Sequence, residues 1–491
     1  MSSNLDTPSA EHTASETLLA SILVARFLRS NNYHETLDIF IREAGLPSDA
    51  GVVNMNKLDE SDGVDKWTLE GIIREKKRFD QTLSFERYGH LPVKKDGWSV
   101  PAPEVPKLIE TPASSNLLAA SVEEWQIDDR DQDNSQRGSY LVATGADRRL
   151  NLFNLDANNT VATSISGLTD SPILSYASIR GQYQLLTTMS GQLLLVSGNE
   201  VIDRRKDHKK YAVKVLAYEE HDENIWVVTV GWDMQVLIYR MILASSSNIE
   251  LKIGEPVGSI KVPSNPESIL LVPHPETQEL TLVLSRRDST YIYYYNVEPL
   301  RSVNTPQTCE ETGKQNLAPN SNAWVAFSPS CLAQNPRDPG LVAVALSTLP
   351  HMKVMIVRLL FPTNSRFEDG DGITATQLSQ SLASLALQSH EDAAIIIQAN
   401  TFAPQTAYST PQVVWRPDGS GVWVNGDDGV IRGIESKTGK LVAMLKNGHE
   451  AGSKVRSIWA GWVEGKNSTE EWVVSGGFDK RLIVWKPGSS D

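Results

Sequence analysis

Apolar positions recur along this chain with two different periods. Between residues 13 and 45 they return every three or four residues. Leu19, Leu23 and Phe27 stand at four-residue spacing, and Leu18 and Ile22 widen the stripe, which is the signature of an amphipathic helix. Thr13 with Glu16 has the form of a capping box ahead of that run. "RSNNYHET" breaks the helix, a second one carries Tyr33, Leu37, Phe40 and Ala44 on one face, and Gly45-Leu46-Pro47 stops it. A third helix is predicted over 66–87, with Leu69, Ile72, Ile73, Phe79 and Leu83 on one face and "REKKR" as the solvated face opposite. "GWSVPAPEVPK", with Pro101, Pro103 and Pro106, then reads as a stiff extended linker and a domain boundary.

From about residue 104 the period becomes two. Short β-forming runs alternate with turn signals, and one pattern repeats: apolar residues, a small residue or Gly, a turn Asp, a basic residue, then apolar residues ending on an aromatic. "VVSGGFDKRLIVWK" (473–486) is its clearest copy, followed by "YLVATGADRRLNLFNL" (140–155) and "IWVVTVGWDMQVLIYR" (225–240). "GVWVNGDDGVIRGIE" (421–435) is fainter. "QLLTTMSGQLLLVSG", "LTLVLSRRDSTYIYYYNV" and "LVAVALSTLPHMKVMIVRLL" are degenerate, which brings the total to seven. Each unit reads as strand, tight turn, strand. The last unit ends near Lys486, so its outer strand has to come from elsewhere, because an open sheet edge invites aggregation. "VPKLIET" is the natural donor, and a strand near 105–111 is expected to pair with the C-terminal unit.

Two insertions interrupt the body. "VEEWQIDDRDQDNSQRG" is acidic and reads as a loop of the first unit. "PTNSRFEDGDGITATQLSQSLASLALQSHEDAA" follows the fifth, and Leu378, Leu382 and Leu385 give it a short amphipathic helix that either caps the body or receives a partner helix.

Composition narrows the chemistry. A chain of 491 residues exceeds one ordinary core unless that core is built by repetition. The net charge of -14 leaves no basic surplus for nucleic acid and suits basic partners. Cys309 and Cys331 make no disulfide framework, which points to a reducing compartment and to structural thiols. The N-terminus lacks the basic region of a signal peptide, and no apolar run reaches the ~18 residues of a membrane span. The sequons at Asn158 and Asn467 are therefore read as incidental. No phosphate loop, His-Glu-x-x-His or Cys-x-x-Cys motif occurs, and "DGDG" (369–372) fails as a calcium loop because Ile373 and Thr374 stand where a ligand and a Gly are needed. No cofactor, metal or catalytic residue is expected. "RRKDHKK" (204–210) is read as a solvated loop between neighbouring units rather than a nuclear-import patch. Asp479 could be a general base, but an Asp that recurs at equivalent turns fits a structural role better than a single catalytic site.

Two resemblances sharpen this picture. The head resembles the lissencephaly-homology (LisH) motif, whose hallmarks match at Leu28, Asn32, Tyr33, Thr36, Phe40 and Glu43, with Asn32 where Gly is commoner. Two helices cannot bury such a stripe alone, and either a second copy or the chain's own body could cover it. The LisH resemblance implies a homodimer, through Leu19, Ile22, Leu23, Phe27, Tyr33, Leu37 and Phe40. The body resembles WD repeats, which implies a mainly β fold: a seven-bladed WD-repeat β-propeller with a small N-terminal α-helical LisH head. In that family a His, a Ser or Thr, the turn Asp and a Trp form a hydrogen-bonded chain. Here this implies His449, Ser475, Asp479 and Trp485 in the last blade, most other blades lacking the His. The expected boundaries are 13–49 for the LisH motif, 50–103 for helix and linker, and 104–487 for the propeller.

Together these imply an intracellular, nuclear or cytoplasmic scaffold that is not an enzyme. It would bind itself through the head and other proteins through the propeller, and neither nucleic acid nor membrane. The candidate partner face is built from residues around the turn Asp: Arg148, Arg149, Trp232, Met234, Phe478, Lys480 and Arg481. Proteins of this architecture include corepressor subunits and subunits of CTLH-type ubiquitin ligases, which are the alternatives, with a propeller enzyme as a remote one. The Trp-Asp-x-Arg box of cullin-adaptor propellers and the coiled coil of the dynein-regulating relative are absent from the sequence.

Overall fold

The computed structural model describes residues 10–52, 68–69, 97–128, 135–156, 158–220, 224–243, 251–302, 306–318, 327–362, 377–464 and 469–488, with backbone alone at 10–19, 128, 135–136 and 377–385. The chain divides into two compact units, 1–95 with 364–389, and 96–363 with 390–491. Of the helix expected over 66–87 only residues 68–69 are described, and the "DGDG" loop and the sequon at Asn467 lie outside the described residues.

In the first unit, α1 (Ala10–Ser30) and α2 (His34–Glu43) form a hairpin. Asn32 makes the reversal in the left-handed region, at φ 59°. The Tyr33 N–H returns to the Leu28 carbonyl at 2.9 Å and the Asn32 N–H to Arg29 at 3.2 Å, a Schellman cap. The Tyr33 ring completes it by lying 6.4 Å from Phe27. Gly45, at φ 64°, closes α2, and the Leu46 N–H reaches the Ile41 carbonyl at 3.0 Å. Ala25, Leu37 and Leu46 make the small core, flanked by Ile22, Leu28, Phe40, Ile41 and Ala50. Burying a Leu such as Leu37 stabilises by roughly 2 kcal/mol, so this core is slight.

The second unit is a seven-bladed β-propeller. Six blades are antiparallel sheets of four strands, and one has five. Blades 1 to 7 fill 117–165, 173–205, 212–261, 266–316, 329–404, 413–445 and 455–487. We label the strands of each blade a to d from the inside outwards. The a strands touch their neighbours in a closed cycle. Apolar side chains alternate along the strands, and they gather into seven clusters, each between two adjacent blades. The core is therefore distributed round the ring. Six a strands carry a bulge just after their start, between Leu117 and Ala119, Ile173 and Ser175, Ala212 and Lys214, Pro266 and Ser268, Pro329 and Cys331, and Val455 and Ser457. Three of the residues that follow are serines that stitch one blade to the next. Ser457 Oγ accepts the Ala120 N–H at 3.0 Å, Ser175 that of Val215 at 3.3 Å, and Ser268 that of Leu332 at 3.0 Å.

Ring closure uses the N-terminal strand. Pro103–Ile109 pairs antiparallel with Leu482–Pro487 and supplies strand d of blade 7. The segment before it, read as a stiff extended linker, is fastened to the propeller through Trp98. Trp98 lies edge-on to Trp423 at 5.0 Å, its N–H binds Glu435 at 2.9 Å, and the Arg416 guanidinium covers its ring at 4.3 Å. A Cβ at Gly421 or Gly433 would come 2.5 Å from the Trp98 ring, so these two glycines form its socket. Arg416 and Glu471, both buried at 1% side-chain exposure, pair beneath it.

Two insertions differ from expectation or reach beyond it. The described parts of the acidic stretch of blade 1 lie in two antiparallel strands, Leu117–Asp128 and Ser135–Gly145, residues 129–134 being outside the described ones. Charge obscured its strand alternation: Glu124 faces out and pairs with Arg137, while Trp125 is fully buried and Ile127 packs against blade 2. The insertion of blade 5 carries α3 (Gln377–Ala394) between strands c and d. Near its end Glu391 accepts the Asn316 N–H at 2.6 Å.

Candidate functional site

On one rim of the ring lie the b–c turns, together with the loops that join one blade to the next. In blade 7 the turn runs from Gly477 to Arg481. The Lys480 N–H returns to the Gly477 carbonyl at 3.3 Å, and Lys480 itself is left-handed at φ 65°. This is a type I turn followed by a bulge residue. The Phe478 N–H ties the turn to the preceding loop through the Lys454 carbonyl at 3.0 Å.

Beneath this turn runs a chain of four side chains with one direction. Trp485 Nε1–H can only donate, and it donates to Ser475 Oγ at 2.9 Å. Ser475 then donates to His449 Nε2 at 2.8 Å, and His449 Nδ1–H to the Asp479 carboxylate at 3.0 Å. Asp479 also accepts the N–H of Glu450 at 2.9 Å and of Arg481 at 3.2 Å. The His449 and Asp479 side chains are 0% exposed. Burial pushes the Asp479 carboxyl up, but the bonds from His449 and the two backbone N–H groups outweigh it and hold it below the usual carboxylate range. No lone pair is left facing solvent for a substrate.

Blade 3 contains a second such chain that the sequence reading did not find. His208 Nδ1 binds Asp233 at 3.0 Å, Thr229 Oγ1 donates to His208 Nε2 at 2.8 Å, and Asp233 accepts the Lys209 N–H at 2.8 Å. His208 belongs to the "RRKDHKK" run, and its side chain is 2% exposed. That run is therefore only in part a solvated loop. His208 is buried, and Arg205 is held by Asp207 at 2.7 Å and Glu255 at 2.8 Å, although Lys209 and Lys210 do face solvent. The signal was present but blurred. In both blades the hydroxyl stands four residues before the Asp and the aromatic six after it, but the His precedes the Asp by 25 residues in blade 3 and by 30 in blade 7.

Two further turns hold the Asp by other means. In blade 1 Ser115 donates to Asp147 at 3.0 Å, and in blade 6 Arg432 holds Asp428 at 2.6 Å. All four turns read Gly-x-Asp, at Gly145, Gly231, Gly426 and Gly477, where a Cβ would press into the carboxylate of the turn's own Asp. The position after the Asp is left-handed throughout: Arg148 at φ 68°, Met234 at 61°, Lys480 at 65° and Gly429 at 80°. Blade 2 places Gly191 there, at φ 83°.

The candidate partner residues divide accordingly. Arg148, Arg149 and Lys480 are exposed, Trp232 is 43% exposed, and Met234 and Phe478 are each 41% exposed. Arg481 is only half-exposed, because it binds Glu450 at 3.0 Å and the Gly448 carbonyl at 3.1 Å. In the head, Leu23 at 7% and Leu37 at 3% exposure are buried within the unit, Ile22, Phe27 and Phe40 are half-buried, and Tyr33 is 53% exposed. Leu19 lies on α1, its side chain outside the described ones. Ile39, 54% exposed, is a further exposed apolar residue of α2 and lies off the period of the stripe. Cys309 and Cys331 are free and buried, and burial pushes the Cys309 thiol up to about 11. Among the described residues no three His, Cys, Asp or Glu side chains gather as a metal site would require, and no helix is long and apolar enough to cross a membrane.

Models of the UCP007778 family match the chain twice, its β-propeller domain over residues 131–486 and its LisH domain over residues 19–48. No curated protein matches it.

Proposed function

The chain belongs to the UCP007778 family, described by a LisH domain and a β-propeller domain, and on that footing we propose a dimeric, non-enzymatic scaffold that presents a WD-repeat propeller to partner proteins. The observation that carries this reading is the use of the turn aspartates. Those of blades 1, 3, 6 and 7 are bound by their own blade or by the segment leading into it, while the residues beside them in blades 1, 3 and 7 point outwards. A rim so built offers contact surface rather than reactive groups. The WD-repeat assignment rests on the chain from Trp485 to Asp479 and its echo from Thr229 to Asp233.

We assign residues 13–49 to the LisH motif and place the start of the propeller near residue 96, where the second unit begins. Dimerisation would use the exposed Tyr33 and Ile39 with the half-buried Phe27 and Phe40, rather than Leu23 and Leu37. Two linked propellers would turn weak partner contacts into avidity. Buried free thiols at Cys309 and Cys331 suit an intracellular location.

Light scattering tests the dimer. The full chain should have the mass of two copies, and Tyr33→Asp with Ile39→Asp should halve it without moving the propeller's melting transition. An unchanged mass in the variant, or a monomeric wild type, would sink the dimer.

A further inference from the structure

We infer that the rim of blades 1 to 3 is a binding site for an acidic peptide with apolar anchor residues, a deepening that rests on the scaffold reading above. The loops in this sector touch in an unbroken series. Arg148 of the blade 1 turn binds the Asp170 carbonyl in the next loop at 3.3 Å. That loop holds the blade 2 turn, since the Met189 N–H donates to the Pro172 carbonyl at 2.9 Å. A Cβ on Gly191 in the blade 2 turn would come 2.5 Å from the carbonyls of His208 and Lys210 in the following loop. Finally the Trp232 N–H donates to the Tyr211 carbonyl at 2.9 Å, and the two rings lie 5.3 Å apart.

The series has relief. The turns of blades 1 and 3 raise exposed Arg148 and Met234 at their left-handed positions, whereas blade 2 has Gly191 there, flush against the neighbouring loop. Blade 2 therefore raises no side chain at this position, and two banks flank it, Arg148 and Arg149 on one side and Lys209, Lys210, Trp232 and Met234 on the other.

Charge identifies the occupant. In a chain of net charge -14, these two banks present four exposed cations against one exposed carboxylate, Asp170. The nearby acids are already engaged: Asp147 by Ser115 and, at 3.9 Å, by Arg149, Asp207 by Arg205 and Asp233 by His208. Lys209 and Lys210 make no side-chain ion pair among the described residues. Cations left unpaired beside half-exposed Trp and Met suit carboxylates alternating with apolar side chains. A nucleic acid fits less well, because the cationic patch is short and the surrounding net charge repels a long polyanion.

The test is fluorescence anisotropy on the full chain with a labelled peptide of Glu-Glu-Leu repeats, set against a Lys-Lys-Leu control and a short single-stranded RNA. The acidic peptide should bind, and added salt should weaken it. Reversing Arg148, Arg149, Lys209 and Lys210 to Glu should cost at least ~10-fold in affinity, while Lys440→Glu, exposed in the c–d turn of blade 6, should change nothing. Trp232→Ala, which leaves every charge in place, should weaken binding as well. Equal binding of the control peptide, tighter binding of the RNA, or unchanged affinity after charge reversal would overturn the assignment. Affinity capture from the native cell separates the two levels. Partners retained equally by wild type and the charge-reversed protein overturn this site and leave the scaffold standing. A wild type that retains none overturns both.

Discussion

Blades 3 and 7 carry the same buried device and are built into the ring differently. Both run a hydroxyl, a His and an Asp in series beneath a turn with a left-handed residue, Met234 or Lys480. In blade 7 the chain begins at Trp485. In blade 3 the equivalent Tyr239 donates its hydroxyl to Asp207 at 3.0 Å while keeping a hydrogen bond with Thr229. Blade 3 takes its a to d strands from one continuous run, with Gln307–Thr308 added at its edge. Blade 7 borrows its outer strand from residues 103–109 and lies beside the Trp98 socket. The difference separates two roles that a repeat pattern merges. The His–Asp–hydroxyl core fixes a turn in either setting, while the ends of the chain adapt to the local blade.

The largest effect should come from breaking what only blade 7 does. Removing the residues after 470 deletes its c strand and leaves 103–109 without a partner. Calorimetry should then show no cooperative transition for the propeller, and a truncated protein with an unchanged midpoint would refute closure at this seam.

A smaller effect should come from what the two blades share. Asp479→Ala and Asp233→Ala each leave a buried His and backbone N–H groups without an acceptor. Each should cost about 2–3 kcal/mol in urea unfolding. Asp479, which accepts one more backbone N–H, should cost the more. A cost within experimental error for either would show that the core is not shared. The same pair sets an acid limit. Burial raises both carboxyls, but His208 and His449 with the backbone N–H groups outweigh it and depress them. A depressed carboxyl adds stability above its unfolded value, near ~4, which is lost as pH falls through the folded value. Wild-type stability should therefore decline below about pH 4, and the double Asp→Ala variant should decline less steeply there.

The smallest effect tests the left-handed position. Lys480→Gly and Met234→Gly should be neutral or stabilising by less than ~1 kcal/mol, because relief of a positive φ offsets the entropy of Gly. Lys480→Val should destabilise, and thermal melts that rank Val above Gly would contradict the turn geometry.

Seven strand–turn–strand units could be read in the chain because each lies within a short window, where alternation decides it, helped in four of them by Gly-x-Asp. The helical hairpin was legible for the same reason, down to Asn32 at its reversal. Charge misled where it masked alternation: "EEW" hid the buried Trp125, and the basic run hid His208. Trp98 could not be assigned from its neighbours, since its partners Glu435 and Trp423 lie more than three hundred residues away. The local pattern thus specified strands, turns and blade number, because the alternation along a strand and the φ of a turn depend on adjacent residues. That His208 reaches Asp233, which glycines receive Trp98, and which rim cations stay unpaired emerged only when the ring closed. Those contacts join loops and blades distant in sequence, and burial alone brings them within hydrogen-bonding range.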